Sequence, residues 1–109
     1  MPNYLLAAMK AWYDGHAELL RASGIEITLD RTKDDRAKHS QWIRASGPAA
    51  EVELIVWDTG EAESGIARSG LANIDEHHEI ATVAQLTELL ERLVDSARLM
   101  LKLCPRAES

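Results

Sequence analysis

The segment from Glu51 to Glu63 predicts a β-hairpin, because two alternating runs flank a short turn. Asp58-Thr59-Gly60 forms a three-residue connection, in which Gly60 occupies the position that needs a positive φ. Placing Trp57 opposite Glu61 gives the remaining pairs, which are Val56 with Ala62, Ile55 with Glu63, Leu54 with Ser64, Glu53 with Gly65 and Val52 with Ile66. A shift by one residue would turn every apolar side chain to the wrong face, so this register is strongly specified.

The two faces of this hairpin differ in composition. One face is apolar and suits a core, with Val52, Leu54 and Val56. The other face is acidic, yet it also carries an isoleucine and a tryptophan; its members are Glu51, Glu53, Ile55, Trp57, Glu61 and Glu63. Ile and Trp are uncommon on a fully solvated face, and glutamates are uncommon on a buried face. We therefore expect this face to contact a basic partner. The competing interpretation is that Trp57 packs under a helix while the glutamates surround its edge.

The N-terminal segment predicts a helix over residues 3–23, with Asn3 as its cap and Gly24 as its left-handed stop. Its apolar stripe has helical spacing and consists of Leu5, Leu6, Met9, Trp12, Tyr13, His16 and Leu20. Trp12 and Tyr13 are therefore expected in the core, with His16 at its edge, and not at a ligand site.

The C-terminal segment gives the strongest helical pattern in the chain. Thr82 and Gln85 form a capping box at its start, and Pro105 follows its end. One apolar stripe runs along it and consists of Leu86, Leu89, Leu90, Leu93, Val94, Ala97, Met100, Leu101 and Cys104. This pattern predicts a long amphipathic helix packed on the rest of the molecule.

Between the helices the pattern alternates. Predicted strands cover residues 25–30, 39–46, 50–57, 61–68 and 74–80. The charge run at 31–38 is interpreted as a solvated connection, and Ser69 to Asn73 as a loop. The order of helix, antiparallel strands and helix predicts a single α+β domain over residues 1–109, a two-layer sandwich of about four to five strands with both helices on one face.

Charge is distributed unevenly along the chain. Residues 1–50 contain six acids and seven bases, whereas residues 51–109 contain twelve acids and five bases. Phosphate binding needs a basic surface, so we expect no nucleic acid partner, while a basic protein partner fits the acidic half. The single cysteine, Cys104, excludes an internal disulfide and fits a reducing compartment. With no signal-like N-terminus and no apolar run near about 20 residues, the sequence predicts a cytoplasmic protein that does not bind membranes.

The cluster Asp75-Glu76-His77-His78-Glu79 is the strongest candidate for a metal site. On a strand, successive residues face opposite sides, so His77 would share a face with Asp75 and Glu79, and His78 would share the other face with Glu76. Such ligands suit zinc or iron, but no second cluster supplies the remaining ligands, and a polar edge strand also explains the pattern. The serines lie in no nucleophile motif, Cys104 has no neighbouring base, and no glycine-rich phosphate loop is present. We therefore expect a binding protein without metal or cofactor, and not an enzyme.

Three features together resemble the TriTu family of bacterial immunity proteins, which belong to polymorphic toxin systems. They are Trp12 in a helix with a Trp-Tyr pair, the Val-Trp-Asp-Thr-Gly-Glu hairpin from Val56 to Glu61, and His77-His78-Glu79 leading into the last helix. The resemblance spans most of the chain. It implies a cytoplasmic antidote that binds a cognate toxin domain and blocks it without catalysis, and it carries over no residue-level binding site.

Two other functions compete with this interpretation. Small acidic α+β proteins also serve as dimeric secretion chaperones, and an apolar outer sheet face or helix face would favour that role. A homodimer would fit this second function. The third function is a small metal-dependent enzyme built on His77 or His78.

Overall fold

The computed structural model describes residues 4–32, 39–47, 50–68 and 73–103, with side chains described as far as Leu99. Its elements in chain order are α1 (Tyr4–Ala22), β1 (Glu26–Arg31), β2 (Ser40–Ser46), β3 (Ala50–Trp57), β4 (Glu61–Arg68), β5 (Ile74–Glu79) and α2 (Val83–Leu103). The strands form one antiparallel sheet in the order β1-β2-β3-β4-β5, so each strand pairs with its neighbours in the chain. The predicted α+β class, with a helix at each end of the sheet segment, is confirmed.

The β3–β4 hairpin has the register predicted from its alternation. Five predicted pairs are observed, from Val56 opposite Ala62 to Val52 opposite Ile66. Gly60 has a φ of +97° and its N–H donates to the Trp57 carbonyl at 3.0 Å. The turn therefore closes directly after Trp57, and the positive φ explains why position 60 is a glycine.

Both helices pack against one face of the sheet and enclose a single core. The core side chains of the strands are the inward set of each alternation: Ile27, Ile43, Ala45, Val52, Leu54, Val56 and Ala62. The helices contribute Leu5, Met9, Ala17 and Leu20 from α1 and Leu86, Leu90, Leu93, Val94 and Ala97 from α2. Each large aliphatic side chain buried in this way contributes about 1.5–3 kcal/mol of transfer free energy. The packing of the amphipathic faces thus holds the two layers together.

The helix ends follow the predicted signals where the structure describes them. After α1, Gly24 has a φ of +99° and the Ile25 N–H donates to the Leu20 carbonyl at 3.0 Å, which is a Schellman closure. Before α2, the Thr82 hydroxyl accepts from the Gln85 N–H at 3.1 Å, and the Gln85 side-chain oxygen accepts from the Thr82 N–H at 3.2 Å. The capping box is confirmed.

Several sequence predictions fall on residues outside the described ranges. They concern Asn3 as a cap, Cys104, Pro105, and most of the connections at 31–38 and 69–73. Within the described ranges, Trp12 and Tyr13 are half-buried against the core as expected, whereas His16 is exposed. The predicted stripe of α1 was therefore too wide at His16. Neither described helix combines the length and the apolarity that a membrane crossing needs.

One polar side chain lies inside this core. Gln41 on β2 is only 3% exposed. Its Nε2 donates to the Leu6 carbonyl of α1 at 2.8 Å, which satisfies the amide and joins the sheet to the helix.

Candidate protein-binding surface

The sheet has a second face, called the outer face below, which points away from α1 and α2. The register determines which side chains lie on it, because alternate residues of each strand point to opposite sides. One row crosses all five strands, and each residue lies directly opposite the next: Asp30, Trp42, Ile55, Glu63 and His77. Neither described helix covers this face. The outer face is therefore a regular surface that the described helices leave open to a partner.

All six residues predicted to contact a partner lie on the outer face. They are Glu51, Glu53, Ile55 and Trp57 on β3, and Glu61 and Glu63 on β4. Ile55 and Trp57 are half-buried, and Glu63 is exposed. Trp57 therefore does not lie beneath α1 or α2, and the competing interpretation of this tryptophan is wrong for both described helices.

Trp42 is a member of this surface that the sequence analysis did not assign to a face. It lies directly opposite Ile55 and is half-buried. Trp57 stands two residues further along β3 from Ile55, so the three side chains form one apolar patch, called the apolar centre below. The signal in the sequence was the alternation Gln41, Ile43 and Ala45, which sends Trp42 to the side opposite the core.

Arg44 on β2 pairs with two of the predicted contact residues. Its guanidinium lies opposite Glu53, with Nη2 at 2.7 Å and Nε at 3.2 Å from Glu53 Oε2. Its Nε also lies 3.2 Å from Glu51 Oε2. The hydrogen bond and the charge of Glu53, with a smaller contribution from Glu51, raise the pKa of Arg44 above its ordinary value. These two glutamates are therefore already paired within the chain, although the sequence had suggested that both were available to a partner.

The carboxylates on the other side of the apolar centre have a different environment. Glu63, Asp75 and Glu79, called the β4–β5 carboxylates below, are exposed on the outer face. Within the described residues none of the three forms a salt bridge. Across the described strands this face carries eight carboxylates and one arginine, so its potential is strongly negative.

The two adjacent histidines part as strand alternation predicts. His77 lies on the outer face opposite Glu63. His78 lies on the inner side, where its Nε2 is 2.9 Å from the Ser64 hydroxyl and 3.8 Å from a Glu76 oxygen. Among the described residues no group of three His, Cys, Asp or Glu side chains is arranged to hold a metal ion.

A separate groove of about 300 Å³ lies between the two helices. It is lined by Trp12, His16, Leu19, Leu20, Glu91, Val94, Asp95 and Arg98. The rings of Trp12 and His16 stack with centroids 4.3 Å apart, and His16 Nδ1 lies 2.7 Å from the Trp12 carbonyl oxygen. Leu19 beside them is 72% exposed, so the helix layer also presents apolar surface.

Comparisons with known proteins place the chain in a family. Curated proteins give no match to the chain. The family model described as immunity protein TriTu matches residues 7–96, which include most of α1, the whole sheet and the first two thirds of α2. This match confirms the resemblance based on Trp12, the Val56–Glu61 hairpin and the His77-His78-Glu79 strand, and the chain therefore belongs to the TriTu family of immunity proteins.

Proposed function

We propose that this immunity protein neutralises a cognate toxin by binding it through the outer face, without catalysing a reaction. The observation that carries the proposal is the position of the apolar centre, which lies on the open side of the sheet within a field of carboxylates. Family membership supplies the immunity role. The surface that performs it is inferred from the chemistry of the outer face.

Each part of the outer face has a distinct physical effect on binding. Excess negative charge attracts a basic partner over several ångströms and raises the association rate. Aromatic side chains such as Trp57 and Trp42 lose water on contact and supply much of the binding free energy. A toxin that acts on nucleic acid presents a basic cleft, so the outer face matches that class of partner in charge. Such a complex would form in the cytoplasm of the cell that makes the toxin.

The test begins with the product of the gene next to the one for this protein. An inactivated form of that product should co-purify with the protein, and the active form should stop growth only in cells that lack the protein. A neighbouring product that neither binds nor becomes harmless in the presence of the protein would refute the proposal.

The surface is tested by two matched charge reversals. Glu61→Lys with Glu63→Lys changes the outer face, and Glu18→Lys with Glu88→Lys makes the same change in net charge on exposed helix positions. We expect the first variant to lose protection and the second to keep it. Equal loss in both would show that net charge matters and that the outer face does not.

A chaperone-like function is the second candidate, and the helix groove is the observation that favours it. Exposed Leu19 in that groove, together with Leu99 at 55% exposure, gives the helix layer apolar surface that could hold an unfolded segment. Light scattering separates the two functions, since the chaperone function predicts a homodimer. A strict monomer that binds folded toxin would exclude it.

A further inference from the structure

We infer that the toxin contacts the outer face with an apolar side chain flanked by cationic side chains, and that these cations pair with the β4–β5 carboxylates rather than with the glutamates of β3. This inference rests on the proposed function and specifies the partner chemistry and its orientation. It depends on the asymmetry of the outer face about Ile55.

The apolar centre sets the size of the partner's apolar group. Trp42 and Ile55 lie on adjacent strands, which are about 4.8 Å apart, and Trp57 is two residues along β3, at about 6–7 Å from Ile55. A patch of this extent accommodates one or two large apolar side chains. Because both tryptophans are half-buried already, they are held by their neighbours and lose little side-chain entropy on binding.

The β3 side of the patch does not favour a cation. Arg44 lies 2.7 Å from Glu53 and 3.2 Å from Glu51, so a partner cation would have to displace it or accept repulsion from it. Its positive charge cancels much of the local field from these two glutamates. Arg44 therefore acts as a specificity determinant, because it directs cations away from β3.

The β4–β5 side has the opposite character. Glu63 lies directly across from Ile55, and Glu79 lies two residues along β5 from His77, the residue that faces Glu63. Such diagonal cross-strand positions are about 7–8 Å apart, within reach of one arginine or of two lysines. Both carboxylates are exposed and form no salt bridge within the described residues.

The contour of the sheet is consistent with this arrangement. Gly65 on β4 lies between Glu53 and Asp75, and an added Cβ would lie 2.8 Å from an Asp75 carboxylate oxygen. The absence of a side chain at Gly65 contributes to a hollow of about 130 Å³, which is lined by Arg44, Glu51 and Glu53 on one side and by Asp75 on the other. A protruding side chain of the partner can therefore approach Asp75, one of the β4–β5 carboxylates, without meeting a side chain at position 65.

The experiment compares two variants with the same change in charge on the same face. Glu63→Gln with Glu79→Gln removes two β4–β5 carboxylates, and Glu51→Gln with Glu53→Gln removes the two on β3. Association and dissociation rates are measured by surface plasmon resonance against the inactivated product of the neighbouring toxin gene, at low and at physiological salt. Far-UV circular dichroism verifies that each variant is folded.

We expect the β4–β5 variant to associate about tenfold more slowly at low salt, and the β3 variant less than about threefold more slowly. Trp42→Ala should accelerate dissociation by about tenfold or more and leave association nearly unchanged, while Leu19→Ala in the helix groove should change neither rate. Equal losses in the two charge variants would overturn the inference and leave the proposed function intact. No effect of Trp42→Ala would overturn the inference and would also count against the outer face as the surface of the proposed function. Absence of binding by the unmodified protein would overturn both.

Discussion

The sharpest prediction for the fold concerns Gly60, where two separate constraints exclude any side chain. Its φ of +97° lies in the left-handed region, which costs other residues about 1–2 kcal/mol. A Cβ at this position would also lie 2.7 Å from the carbonyl oxygen of Ile80. That oxygen belongs to the backbone, so a side-chain rotation cannot relieve the contact.

The same backbone segment is bound to Gly60 by a hydrogen bond. The Ile80 N–H donates to the Gly60 carbonyl at 2.7 Å, and the Ile80 side chain is buried. Relief of the clash would therefore stretch this bond and shift the connection from β5 to α2. Overpacking of this kind costs about 1–3 kcal/mol. Together with the cost of the left-handed backbone, Gly60→Ala should lower the free energy of unfolding by about 2–5 kcal/mol.

Urea unfolding followed by far-UV circular dichroism measures this loss, and thermal unfolding should show a midpoint about 8–20 °C lower for a domain of this size. Gly15→Ala provides a matched control. Gly15 is exposed in the middle of α1, and no heavy atom lies within 4 Å of an added Cβ. Gly15→Ala should therefore raise the free energy of unfolding by about 0.5–1 kcal/mol. A Gly60→Ala midpoint equal to that of the parent protein would refute the reasoning.

Three further predictions concern single interactions. Thr82→Ala removes the acceptor for the Gln85 N–H and should lower the free energy of unfolding by about 1 kcal/mol in urea titration; an unchanged midpoint would show that the cap is dispensable. Gln41→Met removes the hydrogen bond to the Leu6 carbonyl and should lower the free energy of unfolding by about 1 kcal/mol, without changing the slope of that free energy against urea concentration. A gain in stability would contradict this expectation. Arg44→Met should cost less than about 1 kcal/mol, because the pair with Glu53 is half-exposed and screened. The carboxylates raise the pKa of Arg44, so the contribution of its charge to the free energy of unfolding is complete below its ordinary pKa and is lost only as the pH rises beyond that value. The loss of stability in Arg44→Met should therefore be equal at about pH 6 and about pH 9.

Local patterns in the sequence predicted most of the fold. The β3–β4 register followed from alternation and the position of Gly60, and the start of α2 followed from Thr82 and Gln85. These features depend on residues close together in the chain. Short-range preferences and the final packing agree there, which is why the predictions were confirmed.

The composition of the outer face was harder to predict, because it depends on pairing between strands. Arg44 meets Glu53 only once β2 and β3 have a register, and that register depends on the turn after Ser46. Ser46-Gly47-Pro48 indicates a turn, but a turn signal alone does not specify which residues lie opposite each other across it. The face of Trp42 was not predicted because the polar Gln41 obscures the buried set of its own strand, in which Gln41 alternates with Ile43 and Ala45. His16 was misplaced for a different reason, since helical periodicity does not state how wide the buried stripe of α1 is.

Because side chains alternate between the two faces of this antiparallel sheet, substitutions at inward positions and at outward positions have different effects on stability. Inward residues such as Leu54 and Val56 are fully enclosed, so their shape is constrained by every neighbour. Outward residues such as Glu63 and Glu79 are exposed and lie outside the core, and substitutions at such positions usually alter stability by less than about 0.5 kcal/mol. The same fold can therefore acquire a new binding surface through substitutions at every second residue of its strands. Successive changes of binding partner can then be accommodated while the core stays the same.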